Sequence, residues 1–167
     1  ARTGARPRYL DVRFDAARRP VRCGGCTVVA HLEEARRAPF AAVELALETR
    51  GLARHWAWLP PSSYHMTLFD LILHDRRGPG FWPEGLATDL SDEQADAQVL
   101  ERMRAATTAL APPPWRMRVA GLEASVRSSA CIAAALEPAD AAENARMRAM
   151  RDAWAEIAGL SDRPGHA

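Results

Sequence analysis

Residues 62–70 read SSYHMTLFD and give the clearest structural signal in the chain. A pair of prolines precedes them at positions 60 and 61, and the apolar run LIL follows at 71–73. β-branched, aromatic and aliphatic residues bounded by proline and serine are typical of a strand. The pattern therefore predicts that this stretch forms a β-strand.

The two faces of this strand differ in chemistry. Side chains alternate along a strand, so Tyr64, Met66 and Leu68 share one face that suits an apolar core. His65 and Thr67 share the other face. A proton carrier then lies beside a hydrogen-bond donor for an anionic oxygen, which is a small catalytic surface. One His-x-Thr triplet equally fits a histidine that is only packed or hydrogen-bonded in a strand.

Composition limits the function classes. The chain has 167 residues, which suits one domain with a full core. Its net charge of +1 provides no overall field toward nucleic acid or membranes. All 22 basic residues are arginine, which excludes Schiff-base and P-loop lysine chemistry.

The cysteine count and the hydropathy pattern indicate a compartment. Three cysteines in a chain of this size make a disulfide framework a poor explanation and favour a reducing cytoplasm. No apolar run approaches the roughly 20 residues of a membrane span, and no signal peptide is visible. The sequence therefore predicts a cytoplasmic protein without membrane partners.

The motif Cys23-Gly24-Gly25-Cys26 has two interpretations. A tetrahedral zinc site needs four ligands, and Cys131 is the one further cysteine. A thioredoxin-like pair would begin a helix, whereas this pair leads into the apolar run 27–32, which predicts a buried strand. We therefore favour a tight glycine turn whose backbone can approach a ligand closely over metal or redox chemistry.

The remaining chain alternates strands with helices. After a flexible leader at 1–8, the pattern predicts strands at 9–14, 27–32, 54–59, 62–73, 115–119 and 131–136, helices beginning at Pro39, Ser91 and Asp140, a long loop over 74–90 and a turn at 127–129. Proline or capping-box residues begin each helix, and glycine or proline ends it. The expected core stripes of the two later helices are Val99, Met103, Ala106 and Leu110, and Met147, Met150, Trp154 and Ile157. This order predicts an α+β fold with mainly antiparallel sheets, and its rough repetition suggests two related lobes.

Three segments together resemble the 2H phosphoesterase superfamily, the LigT-like cyclic phosphodiesterases. They are Gly25-Cys26-Thr27-Val28-Val29, the run LPPSSYHMTLFD at 59–70, and the stretch from Arg76 through Trp82-Pro83 to Leu86. The run 64–70 is far more specific than His-x-Thr alone. The resemblance extends over roughly residues 9–160 and is strongest to a bacterial branch without a settled function.

The resemblance implies a fold and a reaction. The implied fold is bilobal α+β, with antiparallel sheets, flanking helices and a cleft to which each half contributes one His-x-Thr/Ser motif. The implied reaction is cofactor-free, metal-independent attack on a phosphodiester, such as a cyclic or 2′,5′-linked nucleotide or an RNA end. One neutral histidine takes a proton and a protonated one gives a proton, which suits an imidazole with an ordinary pKa of about 6.5. The hydroxyl groups hold non-bridging phosphate oxygens.

The resemblance assigns roles to individual residues. His65 becomes the general acid or base, and Thr67 becomes the donor to a phosphate oxygen. The residues expected to line the substrate site are Gly25, Thr27, Tyr64, Arg76 and Trp82. Loop arginines such as Arg76 and Arg77 are also often merely solvated, and Trp82 could anchor the long loop instead of stacking on a base. The expected partner is a nucleotide or RNA-end substrate, and the expected state is a monomer.

The sequence departs from the family pattern because it contains one His-x-Thr motif. Neither Thr nor Ser stands two residues after the other histidines, which are His31, His55, His74 and His166. We therefore expect residues 9–167 to be a C-terminally truncated domain whose second motif lies beyond the segment 160–167. His31 and His55 are expected to serve structure. The competing hypothesis is a non-catalytic nucleotide- or RNA-binding module of the same fold.

Overall fold

The computed structural model describes residues 13–17, 19–52, 54, 56, 58–107, 114–125 and 131–161. Its strands and helices are, in chain order, β1 (Gly25–His31), α1 (Ala38–Thr49), β2 (His65–Leu73), α2 (Asp92–Thr107), β3 (Met117–Ser125), β4 (Cys131–Pro138) and α3 (Ala141–Ala158). Short 3-10 turns occupy Glu34–Arg36 and Pro61–Ser63. β1 pairs with β2 and β3 pairs with β4, which makes two antiparallel two-stranded sheets. The predicted α+β class is confirmed.

The described chain divides into two compact units. The first comprises the described parts of Ala1–Cys23, His31–Met66 and Gly121–Ala135. The second comprises the described parts of Gly24–Ala30, Thr67–Ala120 and Leu136–Ala167.

The second unit contains every fully buried side chain of the described chain. The last half of β2 is buried on both faces, and α2 and α3 pack against each other. The buried apolar residues of these elements are Leu68, Phe69, Leu71 and Ile72, Ala95, Val99 and Met103, and Met147, Trp154, Ala155 and Ala158. The helical members recur at three- and four-residue spacing, as a 3.6-residue period requires. The predicted stripe is confirmed at Val99, Met103, Met147 and Trp154, whereas Met150 and Ile157 are half-buried.

The first unit packs more loosely in its described part. One of its ring contacts joins Phe40 of α1 to Tyr64, with centroids 5.8 Å apart and an edge-to-face orientation. α1 begins at Ala38 with proline in its first turn, as predicted, and contains no fully buried residue. Apolar burial therefore contributes less in this unit than in the other.

The two later helices begin as their sequences indicate. At α2, the Gln94 backbone N–H donates to Ser91 Oγ at 3.2 Å, and the Ser91 N–H donates to Gln94 Oε1 at 3.0 Å. These reciprocal bonds confirm the predicted capping box. α3 begins with Asp140 accepting from the Glu143 N–H at 2.8 Å. It ends at Gly159, whose φ of 72° is the left-handed conformation that favours glycine.

Some expectations were wrong or lie outside the description. The predicted strand over 54–59 is absent from the described residues: Arg54 lies in a 3-10 turn, and residues 56, 58 and 59 are irregular. The prolines at 60 and 61 lack the N–H that a ladder needs, so this segment cannot continue through them into a paired strand. β1 is exposed or half-buried rather than buried. The leader 1–8, most of the predicted strand 9–14, Leu110 and the turn at 127–129 lie outside the described residues.

The loop between β2 and α2 is irregular, as predicted. Within the described part of the chain, none of the helices has the length and apolarity needed to cross a membrane.

Candidate functional site

His65 is the first residue of β2 and is exposed. Its Nδ1 lies 2.7 Å from the backbone carbonyl oxygen of Ser63. A carbonyl oxygen can only accept, so Nδ1 carries the hydrogen and donates it. In the neutral ring this tautomer places the lone pair on Nε2, as a general base requires.

A proline-led turn holds the carbonyl that orients His65. The 3-10 turn Pro61–Ser63 follows Pro60, whose carbonyl oxygen accepts both the Ser63 N–H at 2.8 Å and the Ser63 Oγ hydroxyl at 2.7 Å. The Tyr64 N–H donates to the Pro61 carbonyl at 3.2 Å. Because prolines preset φ, this turn is rigid, and the Ser63 carbonyl is fixed beside the imidazole.

Thr67 follows two residues later in β2 and is also exposed. Strand alternation places its side chain on the face that carries His65. The next two residues, Leu68 and Phe69, are buried with exposed fractions of 6% and 2%. The His-x-Thr triplet thus occupies the accessible first part of a strand whose remainder is core. Its catalytic role stays a prediction.

His31 is the side chain that sequence reasoning missed. It ends β1 directly opposite His65, because the Leu32 N–H donates to the Tyr64 carbonyl at 3.0 Å and sets the register. The two rings meet edge to face, with centroids 6.3 Å apart and planes at 64°. Alternation along β1 from Gly25 through Thr27 was the signal that could have found it.

The two β1 residues expected to line the substrate site have partners within the protein. Thr27 is exposed, and its Oγ1 lies 3.4 Å from Asp70 Oδ1. Gly25 has a φ of 152°, and a Cβ built there would overlap the Ile72 carbonyl oxygen. The requirement for glycine therefore comes from close packing on β2. Contact of either residue with a substrate stays a prediction.

Tyr64 packs as the sequence suggested. It is half-buried against Phe40, and burial raises the pKa of its phenol, with a smaller contribution from the charge of Glu44. A phenol of this kind stays protonated at neutral pH, and its contact with a substrate stays a prediction.

The loop residues divide into exposed and buried members. Arg76 is exposed, with its guanidinium carbon 5.4 Å from the centroid of the Phe81 ring. Trp82 is only 6% exposed, and its Nε1–H donates to the Leu86 carbonyl at 3.0 Å. The guanidinium of Arg77 lies 4.7 Å from the centroid of the Trp82 indole. Trp82 thus anchors the loop, which was the alternative to base stacking. A stacking contact with a base stays a prediction.

Arg77 organises this loop. Its Nη1 donates to the carbonyls of Thr88 at 2.9 Å and Leu90 at 2.6 Å, and its Nη2 pairs with Asp92 at the start of α2. Because a guanidinium presents its donors in a fixed fork, one side chain closes the loop against the helix.

A second polar cluster, also missed from sequence, joins β1 to α2 within the second unit. His74 Nε2 lies 2.8 Å from Asp96 Oδ1, and the Cys26 thiol donates to the same oxygen at 3.0 Å. His74 Nδ1 is 3.1 Å from Asp92 Oδ2, outside hydrogen-bonding alignment. Burial, followed by the interaction with Asp96, raises the pKa of the Cys26 thiol to about 12. A protonated thiol is a poor nucleophile, and the hydrogen bond to Asp96 is a structural contact.

Among the described residues, the lining of a cavity in the second unit does not include His65. Across residues 13–161, apart from the undescribed gaps, no three His, Cys, Asp or Glu side chains are arranged to hold a metal ion. A cavity of about 180 Å³ lies within the second unit, and its lining includes Trp82, Glu84 and Leu160.

The chain is similar to a known protein family and to one solved structure. Residues 13–128 match the family model described as "2H-phosphodiest: Domain of unknown function (DUF1868)". A search of curated proteins found no match. Among solved structures, the chain is similar to the conserved protein of unknown function ATU0111 from Agrobacterium tumefaciens, with 29% identity and a TM-score of 0.77. That match covers 96% of this chain and 65% of the other, so the chain spans less than two thirds of its neighbour's length.

Proposed function

Because the chain belongs to the 2H phosphodiesterase family, we propose that it is a metal-independent phosphodiesterase in which His65 moves the proton and Thr67 holds a phosphate oxygen. The family match itself supports a phosphoesterase function. The finer proposal names the substrate as a cyclic or 2′,5′-linked nucleotide or an RNA end. The observation that carries it is the 2.7 Å contact between His65 Nδ1 and the Ser63 carbonyl.

The contact with the Ser63 carbonyl suits the first half of the reaction, in which the attacking water loses a proton. Neutral His65 takes a proton on Nε2 from the attacking water as the new oxygen–phosphorus bond forms. The Thr67 hydroxyl donates to a non-bridging oxygen as negative charge develops there. The bond to the leaving oxygen breaks, and that oxygen takes a proton from a second acid. The family resemblance assigns this acid to a second His-x-Thr/Ser motif, which we propose lies further along the full-length protein.

Exposure of the triplet also favours this function. Both side chains are exposed at the start of β2, while Leu68, Phe69, Leu71 and Ile72 further along the strand are buried. A histidine retained only for packing would gain most from burial, which His65 does not have.

The test uses the full-length protein, in EDTA, with nucleoside 2′,3′-cyclic phosphates and 2′,5′-linked dinucleotides. We expect His65→Ala to lower turnover by about 10²–10⁴-fold, the usual contribution of a positioned acid or base. Thr67→Val should lose activity that Thr67→Ser keeps, since serine retains the hydroxyl. Thr49→Val, at the exposed end of α1, is the matched control and should leave turnover unchanged.

Normal turnover by folded His65→Ala would refute the proposal. Binding of adenosine 2′-monophosphate by the wild-type protein, without cleavage of any of these substrates, would favour the non-catalytic binding module. The single His-x-Thr motif is the observation that supports that module.

A further inference from the structure

We propose that His31 is a second imidazole contact for the substrate phosphate, donating a hydrogen bond to a non-bridging oxygen beside His65. This inference rests on the proposed function and deepens it, because it names a binding residue outside the His-x-Thr triplet. The substrate class it specifies is an anionic phosphodiester that offers both non-bridging oxygens to protein donors.

Position is the first support. His31 and His65 belong to the same compact unit and lie directly opposite each other at the paired ends of β1 and β2. Both side chains are exposed, and their ring centroids are 6.3 Å apart. Directly opposed residues of an antiparallel pair have Cβ atoms about 5 Å apart, so one small ligand can touch both side chains.

Energetics supply the second support. Packing explains the pair poorly, because both rings remain exposed and little apolar area is removed from water. A hydrogen bond from an imidazole N–H to an anionic oxygen is charge-assisted and therefore stronger than one between neutral groups. The exposed pair is therefore better suited to binding an anionic ligand than to packing.

The charged residues that follow His31 in the sequence leave no net charge that would bind an anion in its place. Glu33 and Glu34 follow His31, and Arg36 and Arg37 follow them, so the formal charges of this turn cancel. Arg37 Nε is also engaged, donating to the Leu32 carbonyl at 3.3 Å.

The tautomer of His65 suits proton acceptance, which leaves donation to the phosphate oxygen to a second ring. Its Nδ1–H is already donated to the Ser63 carbonyl, so its Nε2 is the atom presented to the substrate. In the general-base state that atom accepts and cannot donate to phosphate. A second ring with an N–H to donate supplies what His65 lacks.

The direct test is NMR of the histidine side chains in the full-length wild-type protein, titrated with adenosine 2′-monophosphate. We expect saturable shifts of both the His31 and His65 ring signals. His74, which is 10% exposed and bonded to Asp96, serves as the internal reference and should not shift. A shift of His65 without His31 would overturn the inference.

Kinetics of two variants then separate donation from packing. His31→Phe keeps an aromatic ring but has no donor, and we expect its KM to rise about tenfold or more, as loss of a hydrogen bond to a charged group predicts. His31→Gln keeps an N–H donor and should recover part of that loss, with kcat close to wild type in both. Wild-type kinetics in His31→Phe, or no recovery in His31→Gln, would reject the phosphate contact.

Failure of the wider proposal has a different signature. If His65→Ala cleaves as well as wild type, the phosphodiesterase assignment fails whatever His31 does. If His65→Ala is inactive while His31→Phe is normal, the enzyme stands and the His31 contact is wrong.

Discussion

Gly24 is constrained by the histidine beside it. A Cβ built at this position would overlap Nδ1 of the His74 ring. That ring is in turn fixed by Asp96 Oδ1 at 2.8 Å, so it has little freedom to give way. The glycine that sequence alone attributed to a turn is required by side-chain packing.

A methyl group at position 24 should therefore destabilise the protein. We expect Gly24→Ala to lower the free energy of unfolding by about 1–3 kcal/mol, the usual cost of overpacking. Urea unfolding measures it. Gly121→Ala is the control, because a Cβ there meets nothing within 4 Å. Equal unfolding midpoints for the two variants would contradict this account.

The scale of single residues also shows where sequence reasoning ends. The accessible faces of His65 and Thr67 were predictable because they follow from a two-residue period within one strand. The joining of Cys26 and His74 to Asp96 was not, since these residues are separated along the chain and meet only after folding. Cys26 shows the consequence: its motif suggested metal or redox chemistry, while its thiol donates to a carboxylate.

The loop from β2 to α2 depends on one of two neighbouring arginines. Arg77 bonds two loop carbonyls and Asp92, whereas Arg76 is exposed beside Phe81. We expect Arg77→Ala to lower the free energy of unfolding by about 2 kcal/mol or more, because it leaves several charge-assisted bonds unmade.

Arg76→Ala is the matched control for that change. Its thermal unfolding midpoint should stay near wild type. If Arg76 steers the substrate phosphate, as the family resemblance suggests, this variant should instead raise KM. Equal losses of stability in both variants would refute the assignment of loop closure to Arg77.

The start of α3 depends on two ionised carboxylates. The Glu143 backbone N–H lowers the pKa of Asp140, with help from Arg116. The Arg116 backbone N–H, at 3.0 Å, lowers the pKa of Glu143, with further help from Arg146. Glu143 is 3% exposed, so its bonded state is part of the folded structure.

These shifts predict acid sensitivity. Each folded-state pKa lies below its unfolded value, so the unfolded chain binds more protons in acid and stability rises with pH. The contribution is complete above the ordinary carboxyl pKa of about 4 and is lost as pH falls through the folded values. Comparing unfolding midpoints at neutral pH and at about pH 3.5, we expect a smaller drop for Asp140→Asn/Glu143→Gln than for wild type. Glu156→Gln, exposed on the same helix, should keep the wild-type drop.

Across the whole molecule, local sequence patterns predicted the fold class and the core residues better than they predicted long-range side-chain contacts. Antiparallel pairing, both helix caps and the stripe from Val99 to Met103 follow from short-range periodicity and are confirmed. The wrong strand at 54–59 shows the limit of that approach, since its residues favour a strand but a strand also needs a paired neighbour, and the prolines at 60 and 61 cannot donate to a ladder. Long-range pairs such as His31 with His65 require the register of two strands, which no single segment contains.

The turn before β2 means that the tautomer of His65 is set by main-chain geometry. The Ser63 carbonyl selects which nitrogen is protonated, and prolines hold that carbonyl. A substitution in the proline-led turn can therefore change which nitrogen of His65 carries the hydrogen without altering the His-x-Thr triplet. Comparisons that score only the His-x-Thr triplet would overlook such changes.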